Sequence, residues 1–161
     1  MDTIQQYKEV MGNYPTGVTV VTTFDQEHKP VGLTVNSFAS VSLDPLLILW
    51  SIDKSVSTYD TFLQTEKFAV NILAEDQADL CMLFASRLED RFSQCDWKES
   101  EFQLPILSNT LAVLQCQVFK KVDAGDHTIF IGEVKHIHNE EKQPLLYHRR
   151  NAGAIPQDFY K

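Results

Sequence analysis

The sequence has 161 residues, a length typical of one domain, and no Pro/Gly/Ser-rich tract divides it, so residues 1–161 are expected to form a single domain. Hydrophobic residues make up 43% and charged residues 22%, which predicts a buried core and argues against disorder. The formal net charge of -8 argues against nucleic acid or an anionic membrane surface as the main partner, because either needs a basic face.

No segment has the character of a membrane span or a secretory signal. The longest apolar runs, such as residues 45–52, are far shorter than the ~20 residues of a membrane-spanning helix. Residues 1–9 are polar and acidic. Cys81, Cys95 and Cys116 are odd in number and form no C-x-x-C pair, so neither a disulfide framework nor a zinc knuckle is indicated. A cytoplasmic protein is therefore expected.

Apolar side chains recur at helical spacing close to the N-terminus: Ile4, Tyr7, Val10 and Met11. This spacing predicts a short helix that begins after a cap at Asp2 or Thr3 and ends at Gly12, with the glycine at positive φ. Two β-branched runs follow, residues 17–24 and 31–38, and the polar turn between them predicts a β-hairpin.

The middle of the chain predicts two strands and two helices. Residues 45–52 are apolar on both alternating faces, which is typical of a strand that is covered on both sides and lies centrally in its sheet. One helical face is formed by Val56, Tyr59, Phe62 and Leu63. Residues 67–73 return as a strand, and residues 75–84 form a helix whose acidic start suits the helix dipole.

The remaining pattern indicates a β-rich architecture. Residues 87–101 are charged and predict a loop, whereas residues 110–122 and 128–137 predict two strands joined by a turn at residues 123–126. Short strands that close on themselves remove exposed edges and bury one face. We therefore expect a mainly β fold, a small β-barrel with peripheral helices.

Two segments suggest a site for a phosphate. Neither G-x-G-x-x-G nor G-x-x-x-x-G-K-[ST] occurs, so a nucleotide would be held without the two common phosphate loops. Residues 34–42 and 51–57 are rich in hydroxyls, and the second segment adds Lys54, so together they offer hydroxyls, backbone N–H groups and one cation. Serine and threonine are equally turn and capping residues, and composition alone favours that interpretation.

Histidines offer a second hint of chemistry. His127 follows a turn at the entry to an apolar strand, where an imidazole can bind a ligand and titrates near neutral pH; a half-exposed turn histidine is the alternative. His136 and His138 face one side of a strand, but no third ligand stands at a suitable spacing, so no metal site is predicted. No Ser/His/Asp order or carboxylate pair supports hydrolysis.

A series of short motifs, each modest by itself, follows a specific order. They are PTGVTVVTT (15–23), GLTVNSFASVSLDP (32–45), SIDK (51–54), FAVNIL (68–73), FAS (84–86), DRF (90–92), GDHTIFIGEV (125–134) and PLLY (144–147). Across nearly its whole length, the chain thereby resembles the short-chain flavin reductase family, the small reductase components of two-component flavin monooxygenases. Residues 148–153 depart from the Gly-containing continuation that is frequent in that family.

The resemblance implies a split β-barrel of the FMN-binding, flavin reductase-like type. It implies a homodimer with FMN or FAD in a groove near the subunit interface. The residues expected at the isoalloxazine ring are Thr16, Gly17, Thr34, Val35, Asn36 and Ser37. Those expected at the ribityl chain and phosphate are Ser40, Ser51, Lys54, Ser55 and Ser57. The outer groove is expected to contain Phe84, Ala85, Arg91 and Phe92, with Tyr147 as a further cofactor contact and His127 as the catalytic residue beside the nicotinamide.

The activity implied by the resemblance is hydride transfer from NADH or NADPH to the flavin, with reduced flavin passed to a partner monooxygenase. The protein would contribute geometry, because reacting atoms held about 3–3.5 Å apart form a near-attack pair. One alternative is a flavin-binding or carrier protein of the same fold without efficient reduction. Another is a pyridoxal-phosphate-related oxidase, which needs a more basic phosphate pocket than Lys54 alone supplies.

Overall fold

The computed structural model describes residues 2–161, and the chain opens with the helix α1 (Thr3–Asn13). The Asp2 carboxylate caps this helix by accepting the N–H of Gln5 at 2.7 Å, as the sequence predicted. The prediction that α1 ends at a positive-φ Gly12 is wrong. Gly12 lies inside the helix without a positive φ, because the helix continues to Asn13 and Tyr14 forms the C-cap.

Strands dominate the rest of the chain. In order they are β1 (Thr16–Gly17), β2 (Thr19–Phe24), β3 (Pro30–Val35), β4 (Ala39–Leu43), β5 (Leu46–Asp53), β6 (Lys67–Ile72), β7 (Trp97–Glu99), β8 (Pro105–Leu107), β9 (Ala112–Ala124), β10 (His127–Asn139), β11 (Leu145–His148) and β12 (Asn151–Ala154). Two further helices are α2 (Tyr59–Gln64) and α3 (Ala78–Ala85), and 3-10 turns span Phe92–Gln94 and Gln157–Tyr160. Among residues 2–161, no helix is both long and apolar enough to cross a membrane.

The main sheet has seven antiparallel strands in the order β3-β2-β6-β9-β10-β5-β4. A smaller sheet has the order β1-β11-β12, and β7 pairs with β8. The edge strands β3 and β4 do not pair with each other within the described chain, so hydrogen bonds do not close the main sheet. A side-chain bridge links the segment between β3 and β4 to β5: the Ser37 hydroxyl accepts the N–H of Ser51 at 2.9 Å and donates to the Ser51 carbonyl at 3.2 Å. The predicted mainly β fold is confirmed, with an open, split arrangement of its strands.

Aromatic packing fills the largest core. Trp50, Phe62, Phe68 and Phe130 are fully buried, and Trp50 stacks on Phe130 with ring centroids 5.0 Å apart. Gly132 sits against this cluster, where an added Cβ would come within 2.5 Å of the Phe68 ring. Packing around these rings therefore requires a glycine in β10.

Several predicted elements differ from the observed ones. Strand β5 lies next to the edge strand β4 rather than centrally, because an apolar pattern reports burial and not the number of neighbouring strands. The predicted strand 31–38 ends at Val35. Helix α3 begins at Ala78 rather than residue 75, because the Gln77 side chain accepts the N–H of Ala74 at 2.9 Å and holds residues 74–77 in a turn. The predicted loop 87–101 contains a 3-10 turn and β7.

Candidate functional site

A cavity of about 750 Å³ lies between β3, the turn that precedes α2 and the C-terminal end of α3. We call it the β3–α3 cavity. Residues 30–33, 55–58 and 84–89 line it, together with Arg91 and Phe92. Among the residues expected to bind a cofactor, this cavity brings together Ser55, Ser57, Phe84, Ala85, Arg91 and Phe92.

Aromatic rings form the apolar base of this cavity. Phe84 and Phe92 are buried and pack edge to face, with ring centroids 5.0 Å apart. Gly32 of β3 faces them, and an added Cβ there would come within 3.1 Å of the Phe84 ring and 3.2 Å of the Thr22 methyl. The small glycine therefore lets β3 approach α3 closely.

Hydroxyl groups line the opposite side, but they are not equally available. The Ser55 hydroxyl donates to the Asp53 carboxylate at 2.7 Å, and the Ser55 N–H donates to the same oxygen at 2.8 Å. These two hydrogen bonds lower the pKa of Asp53. In contrast, Thr58 Oγ1 is buried and has no hydrogen-bond partner within residues 2–161. A buried hydroxyl without a partner costs free energy, and among the residues that line this cavity Thr58 is the one that carries such a hydroxyl.

The cations near the cavity also differ in how available they are to a ligand. Lys54 forms an ion pair with Asp123, and this hydrogen bond is the largest cause of the raised pKa of Lys54. Lys54 is not among the residues that line the cavity. Arg87 lines the cavity and makes no hydrogen bond or ion pair to another described residue. Arg87 is therefore better placed than Lys54 to meet an anion in this cavity.

Arg91 has a structural role at the cavity wall. Its Nε donates to Leu88 O at 3.1 Å, its Nη1 to Gly32 O at 2.8 Å and Phe84 O at 3.0 Å, and its Nη2 to Ser86 O at 2.6 Å. Partial burial lowers the pKa of this guanidinium. One N–H of Arg91 remains for a ligand, so most of its hydrogen-bonding capacity joins β3 to the end of α3.

A second cavity, of about 740 Å³, lies beside α1 and contains the expected cofactor contacts Asn36 and Tyr147. We call it the α1 cavity. Tyr147 of β11 pairs with Thr16 of β1, which places Thr16 and Gly17 next to this cavity. Thr16 Oγ1 is also buried without a partner in the part of the chain that the structure describes. Strand β3 and its extension connect the two cavities, because residues 30–33 line one and Asn36 lines the other.

Other predicted contacts lie in neither cavity. The Thr34 hydroxyl donates to Cys81 O at 2.7 Å, and Val35 packs against the aromatic core. Ser37 and Ser51 join the β3–β4 connection to β5. Ser40 lies exposed on β4. His127 begins β10 opposite Asp53, and its Nδ1 lies 2.8 Å from Asp126 Oδ1. These side chains either connect the strands between the cavities or lie at the end of β5 and β10.

Sequence reasoning missed Thr58, Arg87 and the wall of the α1 cavity that carries Arg149 and Arg150. Arg87 directly follows the FAS motif (84–86), so its position gave a usable signal. Thr58 extends the hydroxyl-rich segment 51–57 by one residue. Nothing local indicates that Arg149 and Arg150 lie beside α1, because that contact joins the two ends of the chain.

Comparison with known proteins agrees with these motifs. Residues 11–156 match the model of the flavin reductase like domain family. The chain is 41% identical over 151 residues to the FMN reductase (NADH) SmoA of Agrobacterium fabrum, covering 94% of this chain and 84% of that protein. It superimposes on the NADH:FAD oxidoreductase SgcE6 of Streptomyces globisporus C-1027, in complex with NAD and FAD fragments, with a TM-score of 0.91 and 33% identity, over 97% of this chain and 94% of that one.

Some relatives are much longer than this chain. It is 45% identical over 146 residues to the reductase component of the flavin-dependent trigonelline monooxygenase of Acinetobacter baylyi, covering 91% of this chain but 47% of that protein. The chain thus spans about half the length of several curated relatives that it matches. The family match and the identity to SmoA both extend over most of the described residues. The chain belongs to the flavin reductase like domain family.

Proposed function

We propose that this chain is an NAD(P)H:flavin oxidoreductase that reduces FMN or FAD with NADH or NADPH. Two relatives carry the names FMN reductase (NADH) and NADH:FAD oxidoreductase, and both are matched over more than four-fifths of their length. A further relative is the reductase component of a monooxygenase, which supports a role in supplying reduced flavin to a partner oxygenase. We take residues 1–161 to act as a single flavin reductase-like domain.

The observation that carries this proposal is the chemistry of the β3–α3 cavity. A volume of about 750 Å³ is in the range of small-molecule sites, with an aromatic base at Phe84 and Phe92 and a hydroxyl-bearing turn opposite. The buried, unpartnered hydroxyl of Thr58 fits a ligand that offers hydrogen-bonding groups along its length, as a ribityl chain does. When bound, the flavin supplies the ring that accepts the hydride.

The residues of the chain bind and orient the flavin and the nicotinamide. Ser55, Ser57 and Thr58 hold the ribityl chain and phosphate, and Arg91 fixes the wall between β3 and α3. Thr34, Val35, Asn36 and Ser37 follow the ring edge toward the α1 cavity, where Thr16, Gly17 and Tyr147 complete the contact. Ser40, Ser51 and Lys54 flank this path, and His127 orients the nicotinamide from the end of β10.

We further propose that the protein is a homodimer. The apolar side chains of α1 are exposed: Ile4 by 68%, Tyr7 by 65%, Val10 by 65% and Met11 by 48%. Helix α1 has no buried residue, so its apolar face is not used within its own chain, and a second copy is the simplest cover. Light scattering should give twice the mass of the 18.4 kDa chain at micromolar concentration. A mass of one chain would refute the dimer.

We place the activity in the cytoplasm. The three cysteines are free thiols within the described residues, as expected for a reducing compartment that also holds nicotinamide dinucleotides.

The activity is tested by an absorbance assay with purified protein, free flavin and NADH. We expect NADH to be consumed above background with FMN or FAD, and the same assay with NADPH and riboflavin defines the preference. If neither NADH nor NADPH is consumed above background with any of these flavins, the reductase assignment is overturned. If the protein then still quenched flavin fluorescence, the carrier function would replace it.

A further inference from the structure

The α1 cavity is basic in an otherwise acidic protein. Lys8, Arg149 and Arg150 line it, and Glu9 is its one acidic lining residue in the described chain. The whole chain carries a net charge of -8, so a local excess of cations here is not a consequence of composition. Such a cluster favours an anionic ligand.

Two of these cations have no protein partner. Arg149 is held by its neighbours: its Nε donates to Asn13 Oδ1 at 2.5 Å, and its backbone N–H donates to Gly12 O at 3.1 Å. Lys8 and Arg150, in contrast, make no hydrogen bond through their side chains and no ion pair to any of residues 2–161. Arg149 therefore fixes the turn against α1 while Arg150 and Lys8 remain available.

The backbone at the two arginines is strained. Arg149 and Arg150 form the two-residue loop of the β11–β12 hairpin, with φ of 49° and 65°. This loop geometry favours Asn and Gly, because other side chains meet steric resistance in the left-handed region. Arginine at both positions lowers the stability of the turn, which points to a use for the side chains outside folding.

We propose that the α1 cavity binds the phosphate groups of the nicotinamide dinucleotide, with Arg150 and Lys8 as the phosphate-binding cations. The proposal rests on the proposed reductase function and names where its second substrate is held. Asn36 lines the same cavity and stands at the expected ring edge, so phosphates bound here place the nicotinamide end toward the flavin. Tyr14, which lines the cavity and is 67% exposed, offers an aromatic face to the adenine.

The test uses ADP-ribose, which carries the phosphates and adenine of the dinucleotide without its nicotinamide. Titration calorimetry should show that Arg150→Asn weakens ADP-ribose binding roughly tenfold, the loss expected for one charged hydrogen bond. Because asparagine tolerates the left-handed conformation, the melting temperature should stay the same or rise. Arg150→Lys should bind ADP-ribose with an affinity between those of the wild type and Arg150→Asn. The affinity for FMN should not change in either variant.

Lys98→Asn is the matched control. Lys98 lies exposed on β7, lines neither cavity and has no ion pair in the described chain, so this variant makes the same change in net charge elsewhere. We expect it to bind ADP-ribose like the wild type. An equal loss in both variants would show a general charge effect and overturn the site.

The outcomes separate this site from the reductase function. Suppose that the wild type reduces flavin with NADH. If Arg150→Asn then binds ADP-ribose normally, or if the wild type itself binds no ADP-ribose, the site is refuted and the function stands. If the wild type fails to oxidise NADH while ADP-ribose binding needs Arg150, the function fails and the site stands. Weaker binding of FAD without weaker binding of ADP-ribose would assign the cations to the flavin's adenylate half. A change from dimer to monomer in Arg150→Asn would assign the cavity to a second copy. Either the selective loss of FAD binding or the loss of the dimer would overturn the proposal.

Discussion

Arg91 and Arg150 each border a cavity, yet the fold uses them in opposite ways. Arg91 donates four hydrogen bonds to backbone carbonyls of β3, of the last turn of α3 and of the segment that follows α3. Arg150 sits in a strained turn and donates none to the described chain. Residue type alone therefore does not show that an arginine beside a cavity contacts a ligand. Its role depends on how many of its N–H donors the protein leaves unused.

The largest expected effect comes from removing the cation that the protein itself uses. Arg91→Ala should lower the free energy of unfolding by about 2–4 kcal/mol, because several partly buried carbonyls lose their donors at once. Flavin affinity should fall more than tenfold, since β3 and the end of α3 are no longer joined. Denaturant unfolding and quenching of flavin fluorescence measure the two effects.

Arg87→Ala is the control for this prediction. Arg87 lines the same cavity but makes no hydrogen bond to the described protein, so its loss should change stability by less than about 0.5 kcal/mol. Equal unfolding free energies for Arg91→Ala and the wild type would contradict the structural role of Arg91.

His127 sharpens the comparison because it borders neither cavity. We expect His127→Ala to leave flavin affinity nearly intact and to lower NADH-dependent reduction about tenfold, through a higher KM, a lower kcat or both.

A matched histidine controls this experiment. His138 is also exposed and also lies beside a carboxylate, with its Nε2 3.0 Å from Glu140 Oε1. His138→Ala should reduce flavin at the wild-type rate. If His127→Ala does so as well at every NADH concentration, His127 is an ordinary turn histidine.

Local sequence patterns predicted the elements whose signals are strong. The hairpin β2–β3, the strand β6 and the long pair β9–β10 follow from runs of β-branched residues and clear turns. The turn predicted at residues 123–126 narrows to Gly125 and Asp126, with a positive φ at Gly125. The short strands β7, β8, β11 and β12 were missed, because three or four residues carry no readable period and their pairing is fixed by distant partners.

The candidate site was predictable in its residue types but not in their availability. Of the two hydroxyl-rich segments, residues 51–57 reach the β3–α3 cavity together with the FAS and DRF motifs, whereas residues 34–42 do not line it. That Arg91 is occupied by carbonyls, that Lys54 pairs with Asp123 and that Thr58 lacks a partner are tertiary facts. Each depends on a residue or carbonyl that the sequence places elsewhere.

Thr58 tests the β3–α3 cavity with effects of opposite sign. Thr58→Val removes a buried hydroxyl that has no partner, so the ligand-free protein should be as stable as the wild type or more stable by up to about 1 kcal/mol. Flavin should nevertheless bind about fivefold more weakly, because the hydroxyl is satisfied only in the complex. Thr58→Ser keeps the hydroxyl and should bind normally. Unchanged flavin affinity in Thr58→Val would remove this hydroxyl from the site.

Lys54 is an intermediate case, and the smallest effects are expected there. Its ammonium is partly exposed and paired with Asp123, whose side chain is 80% exposed, so it is shared between protein and solvent. Lys54→Ala should weaken FMN two- to threefold relative to riboflavin, which lacks the phosphate. Asp123→Asn releases the ammonium and should tighten FMN by about twofold, again without an effect on riboflavin.

The pH dependence of that preference follows from the raised pKa of Lys54. The hydrogen bond to Asp123 holds the pKa of Lys54 above the ordinary value of 10.5. The attraction of the Lys54 ammonium to the FMN phosphate is therefore fully present below pH 10.5 and is lost only as the pH rises through the raised pKa. The ratio of FMN to riboflavin affinity should therefore stay constant from about pH 7 to about pH 9, a range in which the second phosphate proton is already lost. Parallel losses for both flavins in Lys54→Ala would show that this cation does not contact the phosphate, and the anion-binding role in the β3–α3 cavity would pass to Arg87.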